Sequence, residues 1–145
     1  MDGARQAPAD VSTLLEASAP RFSDAERQRR RAAVTGLLDE HDLDAVLVYG
    51  AHRAGTAVGW LTGWPTNREA AVLLDRTGQD VLFVQFHNHL PQARATAHAD
   101  IDVRWGGRST LGTVLGELTA RDRGRRVGSS GRCRMWQPPA WRPPA

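Results

Sequence analysis

The chain has 145 residues, a 41% hydrophobic and 6% aromatic composition, one cysteine and a formal net charge of +3. That length is one domain by prior, able to bury roughly 70% of its unfolded surface. The single Cys133 excludes an intramolecular disulfide or a cysteine-based zinc site, and no apolar run reaches the ~18 residues a membrane span needs. No charged segment followed by an apolar one opens the sequence, so no secretory signal is read and the expectation is a cytoplasmic protein. The basic balance is local. Residues 1–120 carry 12 arginines against 15 acidic residues, whereas residues 121–145 carry seven arginines against one aspartate. Basicity thus sits in a short tail, and neither nucleic acid nor a membrane is expected as a partner. Lysine is absent altogether, as GC-rich coding would give, which weakens arginine content as a sign of phosphate binding.

Residues 1–20 are alanine-rich and interrupted by Pro8 and Pro20, and read as a flexible N-terminus. Ordered structure is expected from about residue 21 to residue 131. Ser23-Asp24-Ala25-Glu26 has the form of a capping box. The helix it opens places Ala33, Val34, Leu37 and Leu38 on one apolar stripe and leaves the Arg27–Arg31 cluster as a solvated face. "DLDAVLVYG" predicts a buried strand over Ala45–Tyr49, and "HRAGTAVGWLTGWP" a connection containing a short helix.

"REAAVLLD" and "DVLFVQF", separated by "RTGQ", predict an antiparallel hairpin. "NHLPQARATAHA" predicts a helix with Pro91 in its first turn, where a missing amide is harmless. "DVRW" predicts a strand, and "STLGTVLGELTAR" a helix with Leu111, Val114, Leu115 and Leu118 on one side; "RRVGSSG" begins like a last strand. The order helix–strand–helix–hairpin–helix–strand–helix–strand gives an α/β fold with a mixed sheet and flanking helices. Residues 132–145, "RCRMWQPPAWRPPA", fit no helix or strand period. They read either as a Pro-rich recognition tail or, preferentially, as the irregular end that a truncation or reading-frame slip leaves.

Few groupings point to chemistry. His87 and His89 stand two apart at a strand end and could share a metal, but no nearby Asp, Glu or Cys completes a ligand set. A helix N-cap role for Asn88 is preferred. "GSSG" at 128–131 lacks the pattern of a nucleophile elbow. "WGGRSTLG" could hold an anion on its amides, but without a following lysine a plain strand-to-helix turn is the better reading. No catalytic or metal-binding residue is therefore assigned. Trp60 and Trp64, flanked by Arg53 and Arg68, could form an aromatic and cationic lip for a carboxylate or guanidine-type ligand. The alternative is that Trp60 and Leu61 pack into the core while both arginines lie in water.

The ordered set Phe22-x-x-x-Glu26-Arg27-x-x-Arg30, "LDAVLVYG", "WLTGW", "REAAVLLDRTGQDVLFVQF" and "NHLPQARATA" resembles the N-terminal domain of the creatinase, prolidase and aminopeptidase P family. The resemblance spans about residues 22–130. It implies a ribonuclease-H-like α/β domain without catalytic residues, followed in full-length members by a "pita-bread" domain. In the peptidases that second domain holds two metal ions on two Asp, one His and two Glu, which activate a water against an Xaa-Pro bond; creatinase members work without metal. None of those ligand positions falls in the resembling segment, so the expectation is a domain with no cofactor of its own and catalytically inert as this chain. The resemblance further implies a role in dimerisation and in shaping the substrate channel. Arg68 stands about where creatinase-like members place an arginine that reaches the partner's substrate, with Thr66 in place of an aromatic residue, and Trp60 and Trp64 are candidates for the same mouth. The alternative function is a stand-alone small-molecule binding module built on Trp60, Trp64 and Arg68. Homodimers, or association through exposed apolar surface, are the expected partnership.

Overall fold

A computed structural model describes residues 22–52, 57–66, 68–121 and 125–130. The segments expected to be flexible at residues 1–20 and irregular at 132–145, together with Cys133, lie outside the described residues. The elements follow the expected order: α1 (Asp24–Glu40), β1 (Ala45–Gly50), α2 (Ala57–Thr62), β2 (Ala70–Asp75), β3 (Val81–Val84), a 3-10 turn (His87–His89), α3 (Leu90–Thr96), β4 (Asp102–Trp105), α4 (Thr110–Arg121) and β5 (Val127–Ser130).

The five strands form one mixed sheet in the order β4-β3-β2-β1-β5. The hairpin pairs β2 with β3 antiparallel, and Gly78 at φ +85° makes its turn. β1 also pairs antiparallel with β2, from Ala45 opposite Asp75 to Gly50 opposite Ala70, so the connection through α2 reverses the chain as a hairpin does. The two outer pairs, β1 with β5 and β3 with β4, are parallel and are reached through helices. Every residue of β2 and β3 is buried, which explains their unbroken apolar sequence: both faces of the central hairpin are covered.

The period of two divides these strands between two cores. Val46, Val48, Ala70, Val72, Leu74, Leu82 and Val84 face α1, α2 and α3 through Leu38, Val58, Leu90 and Ala93. Ala45, Ala71, Leu73, Val81 and Phe83 face α4 through Val114, with Leu118 alongside. The outer strand β4 exposes Asp102, Arg104 and Trp105 and buries Val103. Charged side chains on such an edge discourage pairing with other chains.

The apolar stripes of two helices differ from expectation. α1 buries Leu38 and half-buries Val34, but Leu37 is 44% exposed and Ala33 is also exposed. The row facing the sheet runs Glu26, Arg30, Val34, Leu38 at intervals of four, and Leu37 lies about 100° around the helix from it. The Arg27–Arg31 cluster is accordingly not a solvated face, since Arg30 is 5% exposed. α4 docks through Thr110, Val114 and Leu118, leaving Leu111 and Leu115 half exposed. A four-residue row suffices because α4 is the one helix on its side of the sheet, among the described residues, and meets it along a single line.

Candidate functional site

The residues that carry the sequence's most distinctive spacing meet at one corner, where α1 crosses α2. Ser23 caps α1 by accepting from the Glu26 amide at 3.3 Å. The Glu26 carboxylate grips Arg29 and Arg30, at 2.7 and 2.8 Å, where a full capping box would turn it back on Ser23. These hydrogen bonds from Arg29 and Arg30 hold its pKa down to about 2. One turn on, the Arg30 guanidinium lies 3.4 Å from the centre of the Phe22 ring and 4.4 Å from that of Trp60. It also donates to the Trp60 carbonyl at 2.6 Å. A buried cation between two aromatic faces, paired and hydrogen-bonded, joins the start of α1 to the end of α2.

The "WLTG" step completes that joint. Thr62 donates its hydroxyl to the Val58 carbonyl at 2.7 Å and accepts from the Trp64 amide at 3.1 Å, closing the last turn of α2. Gly63 follows at φ +80°, its amide donating to the Gly59 carbonyl, in the left-handed position that ends many helices. A Cβ at Gly63 would stand 3.1 Å from His98 Cε1 and 3.2 Å from the Thr96 carbonyl, so the glycine also admits the loop after α3. That loop is tied on by the His98 amide, which donates to the Thr62 carbonyl. The short stretch rich in Trp, Gly and Thr is thus a three-way joint between α1, α2 and the His98 loop.

Below the joint lies a cavity of about 380 Å³ bounded by α1, β2 and the His98–Ile101 turn. Val34, Leu61, Leu74 and Ile101 supply its apolar wall, and Arg27, Arg31, Asp80 and His98 supply polar groups. Arg27 pairs with Asp24 and Asp100 at 2.8 Å each, while its Nε and the Nε2 of His98 are buried without a hydrogen-bond partner. Burial first, and then the Arg27 charge, lower the His98 pKa and favour the neutral ring.

A second polar knot fastens the hairpin turn. Asp75, fully buried, accepts from the Thr77 amide and hydroxyl and pairs with Arg121 at 3.3 Å and Arg125 at 2.8 Å. Burial alone would raise its pKa, but the bonds from Thr77 and Arg125 bring it from 3.8 to about 2. Asp80 accepts from the Asp75 amide and pairs with Arg31 at 3.1 Å, and burial pushes its pKa up. Arg31 donates besides to the Asp75 carbonyl. α1 on one face of the sheet and α4 on the other therefore hold the same turn.

The residues expected at a substrate mouth differ in exposure. Trp64 is 2% exposed, packed in the core beside His89, and offers no face to a ligand. Trp60 is 39% exposed, but one face is taken by Arg30. Arg68 is exposed, and Arg53 lies outside the described residues. The expected choice between lip and core is therefore divided between the two tryptophans: Trp64 is core and Trp60 half surface.

His87 and His89 also part company. His87 packs edge-on against Trp105, and His89 against Phe86. Asn88 caps no helix, because the 3-10 turn runs straight into α3 without a side-chain cap. Among the described residues no group of three His, Cys, Asp or Glu side chains is placed to hold a metal ion. The "WGGRST" turn is a capped helix start: the Ser109 hydroxyl accepts from the Gly112 amide at 3.1 Å, and Thr110 packs where a Gly106 side chain would stand.

Sequence reasoning missed Arg30, Arg31, Asp75, Asp80 and His98. Only Arg30 had left a trace, in the four-residue spacing Phe22–Glu26–Arg30 that places Glu26 and Arg30 along one face of α1 with Phe22 just before its cap.

A family model described as the creatinase/prolidase N-terminal domain matches residues 30–136. The chain belongs to that domain family. Solved structures share the fold. An Xaa-Pro aminopeptidase from Streptococcus pyogenes matches with a TM-score of 0.57 at 20% identity, over 74% of this chain and 94% of that one. A creatinase/prolidase-like N-terminal domain from Corynebacterium diphtheriae matches with a TM-score of 0.54 at 21% identity, over 72% of this chain and 75% of that one. The prolidase from Pyrococcus horikoshii matches with a TM-score of 0.52 at 15% identity, over 72% of this chain but 26% of the prolidase. No curated protein matches the chain significantly. Among the described residues no helix is long and apolar enough to cross a membrane.

Proposed function

We propose that this creatinase/prolidase N-terminal domain is a non-catalytic part of an Xaa-Pro-peptidase- or creatinase-like enzyme, contributing to dimerisation and to the shape of the substrate channel. One observation carries this reading: the side chains that give the domain its characteristic pattern are turned inward on one another. Phe22, Arg30 and Trp60 join α1 to α2, Glu26 holds Arg29 and Arg30, and Thr62 closes the last turn of α2, so each is engaged within the domain. Half-exposed Leu111, Leu115, Phe86 and Trp105 supply apolar surface for association. Exposed Arg68 supplies a cation for the channel mouth.

The purified chain, supplied with manganese, is expected to cleave neither Ala-Pro nor a longer Xaa-Pro peptide and to leave creatine intact. Turnover that copurifies with the chain through successive columns overturns the non-catalytic reading. Light scattering tests association separately: particles larger than one chain are expected at high concentration, and a monodisperse monomer refutes the dimerisation reading. Fused to a prolidase catalytic domain, the chain carrying Arg68→Ala should raise KM with little change in kcat if Arg68 lines the channel. An unchanged KM removes it from that role.

A further inference from the structure

We propose that the outer face of α4 is where two copies of this chain pair, each α4 lying antiparallel on that of the other copy across a two-fold axis. The proposal rests on the dimerisation reading above and names the face that carries it.

In a chain that is 24% charged, Leu111, Gly112, Leu115, Gly116, Thr119 and Ala120 of α4 are all exposed and none carries a charge. The two charged residues of the helix lie off that face: Glu117 and Arg121 pair at 2.9 Å, Glu117 also holds Arg104, and Arg121 reaches Asp75. A helix with one side on a sheet and the other in water ordinarily keeps its charges on the outer side. Here the outer side holds Leu111 and Leu115, 50% and 49% exposed and one turn apart.

The glycines of the same face have no role inside the domain. Neither Gly112 nor Gly116 has positive φ; a Cβ at Gly116 would meet nothing within 4 Å, and one at Gly112 only the Ser109 side chain, at 3.4 Å. Each nevertheless weakens the helix relative to alanine. What glycines four residues apart do supply is a flat strip where a second helix can come close.

An antiparallel two-fold at the level of Val114 sets Gly112 opposite Gly116 of the second copy and interleaves the two pairs of leucines along one flank, so the surface complements itself. It also brings exposed Arg108, which has no ion pair among the described residues, to the C-terminal carbonyls of the other α4. A parallel pair would set Arg108 against Arg108 and lose that match. At 12 residues the helix is about 18 Å long, so the contact falls below the ~800 Å² per partner of a standard interface and the dimer is a weak one.

Sedimentation equilibrium of the whole chain, kept reduced, over roughly 10 μM to 1 mM reads the pairing. Association is expected to stop at two chains. Gly112→Ala with Gly116→Ala should raise the thermal midpoint by a few degrees, as a better helix former does, yet weaken the dimer about tenfold or more by filling the strip. A purely internal role for the glycines does not give those opposite signs. In a Cys133→Ser background, a mixture of Leu111→Cys and Thr119→Cys chains should form disulfides faster than either alone, because antiparallel pairing sets position 111 beside position 119 of the other copy. Faster cross-linking of like with like makes the pair parallel and refutes the proposal. Dimerisation unchanged in the double alanine variant also refutes it, while leaving the dimerisation reading standing; a monomer at every concentration overturns both. Binding of a prolidase catalytic domain by a chain that does not bind itself gives the face to that domain and sinks the proposal as well.

Discussion

Replacing Arg30 by alanine tests whether the joint between α1 and α2 stabilises the domain or merely decorates it. The side chain is 6% exposed, bonded to the Trp60 carbonyl at 2.6 Å and enclosed by the Phe22 and Trp60 rings. A hydrogen bond from a charged donor is worth about 1.5–3 kcal/mol, and a desolvated cation–π contact about 1–2. Against these stands the cost of burying the guanidinium, several kcal/mol, which alanine recovers. Alanine also leaves the Trp60 carbonyl without its donor and a hole between two rings. The net expectation is a loss of about 2–4 kcal/mol, in the range of other broken buried networks.

Arg30→Met separates the contributions. It refills the space between the rings and should recover about half of that loss, through packing alone. Urea unfolding followed by tryptophan fluorescence and by circular dichroism supplies the measurement, with unchanged m-values as the sign that both variants unfold from the same compact state. A loss under about 0.5 kcal/mol for the alanine variant, within the range of ordinary surface changes, would refute the reasoning and return Arg30 to the status of a surface arginine.

Other outcomes follow from the same geometry. Gly63→Ala and Gly78→Ala both force an alanine into positive φ, but only Gly63 is crowded by His98 and Thr96; Gly78→Ala should cost about 1 kcal/mol and Gly63→Ala clearly more, as thermal unfolding would show. Stability should fall in two stages as acid is added. His98 has its pKa lowered in the fold, so the unfolded chain takes up its proton first and stability begins to drop below about pH 6.5, a stage His98→Gln should flatten. Asp75, lowered from 3.8 to about 2, holds its contribution above pH 4 and loses it between about pH 4 and 2, which Asp75→Asn should remove. Asp80, with its pKa raised, works in the opposite sense and partly offsets that second stage. Leu111→Ser with Leu115→Ser should lower the unfolding free energy by no more than about 1 kcal/mol per site while reducing association seen by light scattering, since both side chains are half exposed.

The amino-acid sequence by itself determined the elements, their order and the family. Those signals are local: the period of two in β2 and β3, the serine cap of α1, the glycine turn at Gly78 and the proline opening α3 each act within a few residues. It did not determine which row of α1 or α4 meets the sheet, because Leu37 and Leu38, or Leu115 and Val114, are equally apolar and only the docking angle chooses between them. Nor did it determine the fate of the polar residues. Asp75 and Arg125 are fifty residues apart, as are Asp80 and Arg31 to within one, and nothing in either neighbourhood marks them as partners. An arginine in a run of arginines looks solvated until two aromatic rings and a carbonyl from elsewhere in the chain close around it. Burial of charge is decided by what the rest of the fold brings, and that is a property of the assembled sheet and its helices alone.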